Sequence, residues 1–570
     1  MNFHKRALSC LAAGLFVAFL SSQSVAQKPR ADFNRPQTFD VQNYTIRVSF
    51  DRTKRKVFGD TTVDLTPLRS GFSEAILDAA DMAFSSVTLE PEGAALKYRT
   101  AGEKIIVGLD RAYSPGDKIS VRFKYVSSPK KGVYFVDQQM EGGKVIAPAQ
   151  IWTQGEADEA HHWIPSFDFP SDKATTEQFI TTETGETVVA NGELVDKKDN
   201  GDGTTTFHYR MTIPHSIYLL SFVIGKYAKV EDAYNGIPLG FYVYPGTEAI
   251  VPSAYGRTKE MLKVFEELTG VKYPYNKYDQ TVVAGFTFGG MENITATTMA
   301  DSEIYLANLA IAKAGVEDLV SHELSHSWFG DLVTCKNWAE LWLNEGFATF
   351  MEAAFRERMY GRRNYIIKVK SDAETFIVDD AVNPNRNALF NQNAGNVAAL
   401  FDRPATIYNK GGAVLHTLRE EVGDAAFWKA INLYLTRHKF GSVESTDLQK
   451  AMEEVSGRDL EWFFSQWVYS GGLPKLEVRQ TYDSGSKTLR LTVVQVQKAD
   501  KITPAAFRLP IDLEIKTAEG TKTEHIEVDK RSESFSIKLD GHPESLRLDP
   551  EEKIPVKTVK VHPIAAKAAK

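Results

Sequence analysis

The apolar residues of this chain change their period twice, and these changes constrain the fold more than any other feature of the sequence. From about residue 44 to residue 244, apolar and polar residues alternate in short runs that turn residues interrupt, which is typical of half-buried antiparallel strands. After Pro245 the apolar spacing becomes helical, and beyond the glycine pair at 471–472 the alternation returns. The pattern predicts a β domain, a mainly helical domain and a small β sandwich, in that order.

The chain has 570 residues, which is too long for one ordinary domain and long enough to bury several cores. We therefore expect a multidomain α+β protein. The expected segments are a signal peptide over 1–26, an N-terminal antiparallel β domain over 27–246, a mainly helical catalytic domain over 247–474, a β-sandwich domain over 475–555, and a disordered tail rich in Lys and Ala over 556–570.

The charge distribution excludes one class of partner. The formal net charge is -7, and no run of basic residues occurs outside the two ends of the chain. A protein that binds nucleic acid needs clustered Lys and Arg to contact phosphates. We therefore expect no nucleic-acid partner.

The first 26 residues have the pattern of a secretory signal. Basic residues at 4–6 precede an apolar run at 7–20, and the small residues at 24–26 fit a signal-peptidase site after Ala26. The alternative is a membrane anchor, but the apolar run is shorter than the roughly 20 residues that cross a bilayer. We expect a secreted or periplasmic protein without a membrane span.

A metal-binding motif lies within the helical region. In the segment His-Glu-Leu-Ser-His, His322 and His326 are four residues apart, so both imidazoles lie on one face of a helix and can bind one ion. Glu323 lies beside them, where it can take a proton from water that the metal activates. The motif indicates a metallopeptidase, although its two histidines also occur on ordinary surface helices.

A catalytic zinc site needs a third protein ligand and one open position. Glu345 lies in Asn-Glu-Gly-Phe-Ala at 344–348, on the next predicted helix. A short turn between the two helices would bring this carboxylate back to the histidines. Two histidines and one carboxylate are the ligand set of known zinc peptidases, so the sequence predicts a zinc ion held by His322, His326 and Glu345.

A second histidine pair, His161 and His162, is a weaker candidate. The two residues are adjacent, and adjacent side chains point in different directions on a strand or a helix. We therefore expect a structural role for this pair.

The metal motif and four other segments resemble the aminopeptidase N family of gluzincin zinc metallopeptidases, which includes the leukotriene hydrolase. The resemblance covers nearly the whole chain after the signal segment. The segments are Thr-Gln-Gly-Glu at 153–156 with Phe-Asp-Phe-Pro at 167–170, Gly-Gly-Met-Glu-Asn at 289–293, the metal motif with Trp-Phe-Gly-Asp-Leu-Val at 328–333, Leu-Asn-Glu-Gly-Phe-Ala at 343–348, and Ile-Tyr-Asn-Lys-Gly-Gly-Ala-Val-Leu at 407–415.

The resemblance implies a saddle-like N-terminal β domain, a thermolysin-like catalytic domain and a C-terminal β sandwich. It also implies one zinc ion per chain and the release of single residues from peptides with a free N-terminus. By analogy, Tyr408 faces the tetrahedral intermediate, Glu292 and Glu156 anchor the α-amine of the substrate, Gly289 and Gly290 belong to the exopeptidase signature, and Phe288 and Gln154 form the wall of the pocket for the N-terminal side chain. Without the motif, Tyr408 would be interpreted as an aromatic packed at the start of a helix.

Two departures from the family pattern are visible. Many relatives have a large helical domain after the β sandwich, and no helical pattern follows the sandwich in this sequence, so we expect a shorter member with a more open cleft. The signature is followed by Ile294 and Thr295 where many members have Trp-Gly, and the resemblance therefore does not specify the preferred N-terminal residue.

The expected reaction begins when Glu323 takes a proton from the attacking water and ends when it returns the proton to the leaving amine. The residues present argue against two rival functions, and a third stays open. An endopeptidase would share the metal motif but lack the paired carboxylates, and an inactive peptide-binding relative would have lost at least one of the five metal-site and catalytic residues. Epoxide hydrolysis, as in the leukotriene hydrolase, stays open as a side activity.

Overall fold

The structure, a computed structural model, describes residues 31–383 and 385–566. The predicted signal peptide over 1–26 lies outside these residues. The residues from Phe33 onward form one unit, which the following paragraphs describe. Within the described part of the chain, no helix is both long enough and apolar enough to cross a membrane.

The N-terminal region is built from strands, as its alternating pattern predicts. In the second strand, Val57, Thr61, Val63 and Leu65 point inward and are buried, whereas the alternate residues, such as Phe58 and Asp64, are partly or largely exposed. The strands are β1 (Phe39–Asp51), β2 (Lys56–Pro67), β3 (Phe72–Asp78), β4 (Met82–Glu90), β5 (Ala94–Ala95), β6 (Lys97–Thr100), β7 (Lys104–Tyr113), β8 (Ile119–Ser127), β9 (Val133–Val136), β10 (Gln139–Glu141), β11 (Lys144–Ala147), β12 (Gln150–Thr153), β13 (Lys173–Glu183), β14 (Thr187–Ala190), β15 (Glu193–Asp199), β16 (Thr204–Ser216) and β17 (Phe222–Gly225).

The largest sheet of this region has eight strands in the order β15-β16-β13-β1-β2-β8-β4-β5. Its neighbouring strands are antiparallel, as expected, except β1 and β13, which run parallel. A second sheet has the order β14-β17-β12-β9, and β12 ends at Thr153, directly before the segment that carries Gln154 and Glu156.

The middle region combines a mixed sheet with helices. Its strands are β18 (Ala228–Tyr234), β19 (Ile237–Val243), β20 (Tyr278–Val283), β21 (Gly290–Met291), β22 (Ala296–Ala300), β23 (Thr334–Cys335) and β24 (Ser442–Val443). Its helices are α1 (Val251–Ala254), α2 (Thr258–Thr269), α3 (Asp301–Ile304), α4 (Lys313–Ser325), α5 (Trp342–Tyr360), α6 (Arg362–Val382), α7 (Gly411–Val422), α8 (Asp424–Arg437), α9 (Ser445–Ser456) and α10 (Glu461–Trp467).

The sheet of the middle region has the order β18-β19-β20-β22-β21. Strand β19 pairs in parallel with β20, which follows the first helices. The predicted boundary at 246 therefore falls too late, because β18 and β19 belong to the sheet of the middle region. The alternation in these two strands resembles that of the preceding domain, and only the pairing assigns them to the other sheet.

Helix α5 forms the centre of the middle region. Its residues from Trp342 to Phe355 are buried all around the helix, so it packs against neighbours on every side. One of these contacts depends on glycine: the Cα atom of Gly411 lies 3.0 Å from the place where a side chain of Gly346 would begin. This close approach brings the start of α7 and the turn before it against the first turn of α5.

The C-terminal region is a two-layered β structure, as predicted. The strands are β25 (Lys475–Asp483), β26 (Thr488–Gln495), β27 (Leu509–Thr517), β28 (Gly520–Val528), β29 (Ser532–Lys538), β30 (Pro543–Leu548), β31 (Thr558–Val561) and β32 (Ala565–Ala566). One sheet has the order β29-β26-β25-β31 with β32 also paired to β25, and the other has the order β28-β27-β30. The two sheets share buried residues such as Val478, Leu491 and Leu513.

The expected disordered tail over 556–570 is wrong for the residues that the structure describes. Strand β31 pairs in parallel with β25, in register from Lys475 with Thr558 to Val478 with Val561. Its short run of alternating Val and Lys fits an edge position, where charged side chains remain in solvent. A composition rich in Lys and Ala does not report such a pairing.

Candidate active site

The three predicted metal ligands come from two packed helices. His322 lies in the last turn of α4, His326 directly follows α4, and Glu345 lies in the first turn of α5. The centroids of the two imidazole rings are 4.8 Å apart, as expected for residues one helical turn apart on one face. All three side chains are buried.

The ligand atoms have the spacing that a tetrahedral metal site needs. The Oε2 atom of Glu345 is 3.2 Å from Nε2 of His322 and 3.5 Å from Nε2 of His326. Metal-to-ligand bonds of about 2.0–2.1 Å at tetrahedral angles put neighbouring ligand atoms about 3.3 Å apart. The residues present therefore fit a divalent ion such as zinc.

The Nδ1 atom of each imidazole already has a hydrogen-bond partner. Nδ1 of His322 is 2.8 Å from Oε1 of Glu352, and Nδ1 of His326 is 2.8 Å from the backbone oxygen of Phe329. Hydrogen bonds of this kind fix the ring orientation and leave Nε2 for a metal. Both Nε2 atoms accordingly face Glu345.

The charges of the ligand set favour a cation. Burial raises the pKa of Glu345, but His326 and His322 outweigh it and lower this pKa to about 2, so the carboxylate is ionised. Burial lowers the pKa of His322, yet hydrogen bonds to Glu345 and Glu352 raise it to about 9. A metal ion that binds here displaces the proton that the histidine otherwise shares with these carboxylates.

Glu323 lies beside the ligands and faces the cleft. Its carboxyl group packs on Gly290, where a Cβ atom would be only 2.3 Å from Oε1 of Glu323, so a side chain at 290 would displace it. Its Oε2 atom is buried without a hydrogen-bond partner among the described residues. Burial raises the pKa of Glu323 to about 8, against the opposing effect of His322 and His326.

Glu156, Glu292 and Gln154 form a second group, which we name the acceptor group. Carboxylate oxygens of Glu156, Glu292 and Glu345 lie within 4.8 Å of one another. The Oε1 atoms of all three members are buried and have no hydrogen-bond partner in the part of the chain that the structure describes. Burial first, and then the neighbouring carboxylates, raise the pKa values of Glu156 and Glu292. Unpaired buried acceptors are costly, and a bound cation with several N–H donors would satisfy them.

Tyr408 lies in a π-helical turn, Thr406–Lys410, directly before α7. Its ring stacks on that of His322, with centroids 5.9 Å apart and an angle of 16° between the ring planes. Burial and then the charge of Glu345 raise its pKa well above 10, so the hydroxyl stays protonated and can donate. The contact between α5 and α7 at their glycines holds this turn beside the ligands.

A cleft of about 580 Å³ opens beside these groups. Phe288 lies in its wall with 41% of its surface exposed, and its ring is 5.6 Å from that of Phe401. Gly289 also lies in the wall, where a Cβ atom would be 2.9 Å from the side chain of Leu319. Gln154 is buried instead, with its amide nitrogen 3.3 Å from the sulfur of Met291.

Sequence reasoning missed several polar residues of the cleft, among them Glu352, Lys368, Asp372 and Asn409. Glu352 could have been found, because it lies two helical turns after Glu345 on the same face of α5. The others could not, since only the packing of α6 against α5 and the π-helical turn brings them together.

The second histidine pair does not behave as predicted in one respect. His161 and His162 lie in a 3-10 turn, and their rings are 4.6 Å apart and tilted by 34°, so they do not point in different directions. Nδ1 of His161 is 2.7 Å from Asp168, and Nδ1 of His162 is 2.8 Å from Asp81. These pairs tie the turn to the surrounding N-terminal strands and loops.

Comparison with known proteins identifies the class to which this fold and site belong. Residues 40–219 match the Peptidase M1 N-terminal domain, and residues 253–467 match the Peptidase family M1 domain. The chain therefore belongs to peptidase family M1, which confirms the resemblance and the fold class inferred from the sequence.

Several relatives within this class are named aminopeptidases. Aminopeptidase N of Streptomyces lividans is 32% identical over 57% of this chain and 38% of its own length. Aminopeptidase 2 of Candida albicans is 26% identical over 93% of this chain and 57% of its own length. Probable aminopeptidase 1 of Sulfurisphaera tokodaii is 25% identical over 90% of this chain and 62% of its own length. The chain thus spans less than two thirds of the length of these relatives.

Proposed function

We propose that this chain is a zinc-dependent aminopeptidase that releases single residues from the free N-terminus of peptides. The observation that carries the proposal is the acceptor group beside the predicted ligands: carboxylate oxygens of Glu156 and Glu292 lie together beside Glu345, and their buried Oε1 atoms, like that of Gln154, have no hydrogen-bond partner among the described residues. Membership of peptidase family M1 and the names of the relatives support it.

Zinc is the proposed ion because two imidazoles and one carboxylate, with spacing for a tetrahedron and one open position, suit it. When bound, zinc lowers the pKa of water toward 7 and polarises the scissile carbonyl. His322, His326 and Glu345 would hold it.

The remaining chemistry belongs to two side chains. Glu323 accepts the proton of the attacking water and later donates it to the leaving amine, because its carboxylate faces the cleft beside the proposed ligands and its Oε2 atom has no hydrogen-bond partner among the described residues. Tyr408 keeps its proton and can donate a hydrogen bond to the oxyanion as negative charge develops.

The acceptor group explains why one residue would be removed at a time. A residue in an extended chain spans at most about 3.6 Å, so an α-amine held by Glu292 and Glu156 places the first peptide carbonyl at the metal centre. Later carbonyls lie too far along the chain. Phe288 and Gln154 would contact the N-terminal side chain, and Gly290 at the edge of the sheet would contact the substrate backbone.

The rival functions fit the site less well. An endopeptidase has no use for buried, unpaired carboxylates beside the scissile bond, and they would only cost stability. An inactive peptide-binding relative would not need the ligands, Glu323 and Tyr408 to be brought together around one cleft. No feature of the cleft favours epoxide hydrolysis over peptide hydrolysis.

An assay with matched substrates tests this proposal. Aminoacyl fluorogenic substrates are compared with their N-acetylated forms, with and without a chelator and after zinc is restored. We expect hydrolysis of the free-amine forms only, lost with the chelator and recovered with zinc. Equal hydrolysis of the acetylated forms would replace the aminopeptidase with an endopeptidase.

We also propose that the protein acts outside the cytoplasm, because residues 1–26 carry the pattern of a cleaved secretory signal. Mass spectrometry of the protein purified from its native host should find an N-terminus at Gln27. An intact N-terminus would contradict this proposal.

A further inference from the structure

The nitrogen of His322 that faces away from Glu345 begins a chain of hydrogen bonds and ion pairs. Nδ1 of His322 is 2.8 Å from Oε1 of Glu352, and Nζ of Lys368 is 2.8 Å from Oε2 of the same carboxylate. Nζ of Lys368 also donates to both oxygens of Asp372, each at 2.8 Å. The amide of Asn409 donates to Oδ1 of Asp372 at 3.0 Å. This chain of contacts therefore ends at Asn409, the residue next to Tyr408.

The middle of this chain of contacts consists of buried charged side chains. Glu352, Lys368 and Asp372 are each buried, and Lys368 is 9% exposed. An ammonium group has three N–H donors, and here three carboxylate oxygens accept them. Burial lowers the pKa of Lys368, but Glu352 and Asp372 raise it well above 10.5, so the charge is kept.

The members of this chain of contacts lie on different helices and turns. Glu352 belongs to α5, Asp372 to α6, and Asn409 to the π-helical turn that carries Tyr408. Lys368 on α6 is the member that contacts both carboxylates. A buried cation between two carboxylates fixes their positions, because moving either one leaves a buried charge unpaired.

We propose that Lys368 is a positioning residue that sets the orientation of His322 through Glu352 and the position of Tyr408 through Asp372 and Asn409. It touches neither the metal ligand atoms nor the hydroxyl of Tyr408, and it acts only through its two carboxylate partners. The proposal rests on the proposed function for its effect on turnover, but its effect on metal affinity does not depend on that function.

The first experiment compares Lys368→Met with Lys277→Met. Lys277 is a matched control, because it is also 9% exposed and donates to a carboxylate, Asp279, at 2.6 Å, outside this chain of contacts. Zinc affinity is measured on zinc-free protein by chelator competition, together with the melting temperature. Changes in groups that orient metal ligands weaken metal binding by roughly 10- to 100-fold, which we expect for Lys368→Met and not for Lys277→Met.

The second experiment separates the two branches. Asn409→Ala removes the amide that joins Asp372 to the turn of Tyr408 and leaves the contacts of Lys368 in place, so it should lower kcat at saturating zinc while the zinc affinity stays near that of the wild type. In a Tyr408→Phe background, the same change should lower kcat much less, because the group that it positions is already gone. Lys368→Arg, which keeps the charge, should recover part of the zinc affinity that Lys368→Met loses.

The outcomes distinguish the two proposals. Zinc affinity of Lys368→Met equal to that of Lys277→Met would overturn the role toward His322, whether or not the protein is an aminopeptidase. An equal loss of kcat from Asn409→Ala with and without the hydroxyl of Tyr408 would overturn the role toward Tyr408. If Lys368→Met does not fold, the comparison is made with Lys368→Gln. A wild type that binds zinc but cleaves no aminoacyl substrate would defeat the proposed function alone.

Discussion

The predicted metal ligands and the acceptor group lie side by side, but their polar atoms differ in whether they have hydrogen-bond partners. Around His322 and His326, each imidazole has a partner on Nδ1 and faces Glu345 with Nε2. In the acceptor group, the buried Oε1 atoms of Glu156 and Glu292 have no hydrogen-bond partner among the described residues, and that of Glu292 has only a long contact of 3.9 Å with Nδ1 of His326. The first arrangement is held by hydrogen bonds within the fold, whereas the second leaves acceptors that a bound cation would satisfy.

This difference predicts two classes of variant. Changes in the metal centre should act on zinc content and kcat for every substrate, because they alter the reacting groups. Changes in the acceptor group should act on KM, and only for substrates with a free amine, because they alter how the substrate is held.

The largest effect is expected at the metal ligands. His326→Ala removes one of three ligands, so zinc content should fall from one ion per chain to near zero, and activity should fall with it. His162→Ala is the matched control, because it removes another buried histidine, which pairs with Asp81 in the N-terminal region. Elemental analysis and turnover are measured for both. Full zinc content with intact activity in His326→Ala would contradict the ligand assignment.

The second-largest effect is expected at Glu323, and it distinguishes loss of the proposed base from loss of the metal. Glu323→Gln keeps the size of the side chain but cannot take the proton, so zinc content should be unchanged and kcat should fall by roughly 10² to 10⁴-fold. Loss of zinc together with activity would mean that Glu323 acts as a ligand. Zinc content and kcat, measured on the same sample, decide between these results.

Tyr408→Phe tests the donor to the oxyanion. The hydroxyl matters only when negative charge develops, so kcat should fall by roughly 10²-fold or more while KM stays close to that of the wild type. Steady-state kinetics on a free-amine substrate measure both constants. A raised KM with kcat preserved would show that Tyr408 binds the ground state.

The smallest effects are expected in the acceptor group and should be selective. Glu292→Gln removes one of two anchoring charges, which costs about 2 kcal/mol, so KM for free-amine substrates should rise roughly 30-fold with zinc content unaltered. Glu156→Gln should have a weaker effect, because Glu156 is more exposed than Glu292. KM is measured on free and N-acetylated substrates, and a rise that is equal for both would contradict the amine-anchor role.

The sequence predicts the close approach of His322 and His326 because that approach depends on local geometry. Two histidines four residues apart on a helix share a face whatever the rest of the chain does. The carboxylates of the acceptor group were assigned through family resemblance, and the structure places Glu156 and Glu292 together beside Glu345. Their adjacency could not be derived from spacing, since they come from different sheets.

The parts that the sequence missed all depend on packing between distant segments. Strand β19 was assigned to the wrong domain because its partner β20 follows two helices. The tail strand β31 pairs with β25, which lies some eighty residues earlier in the chain. Lys368 shows no motif, and its place in the site follows only from how α6 packs on α5.

One time course tests the central claim most directly. An unblocked peptide of about ten residues and its N-acetylated twin are incubated with the zinc-loaded protein, and the products are followed by mass spectrometry. The unblocked peptide should shorten by one residue at a time from its N-terminus, and the acetylated twin should stay intact, because it lacks the ammonium group that Glu292 and Glu156 bind. Internal fragments, or equal rates for the two peptides, would contradict the aminopeptidase account.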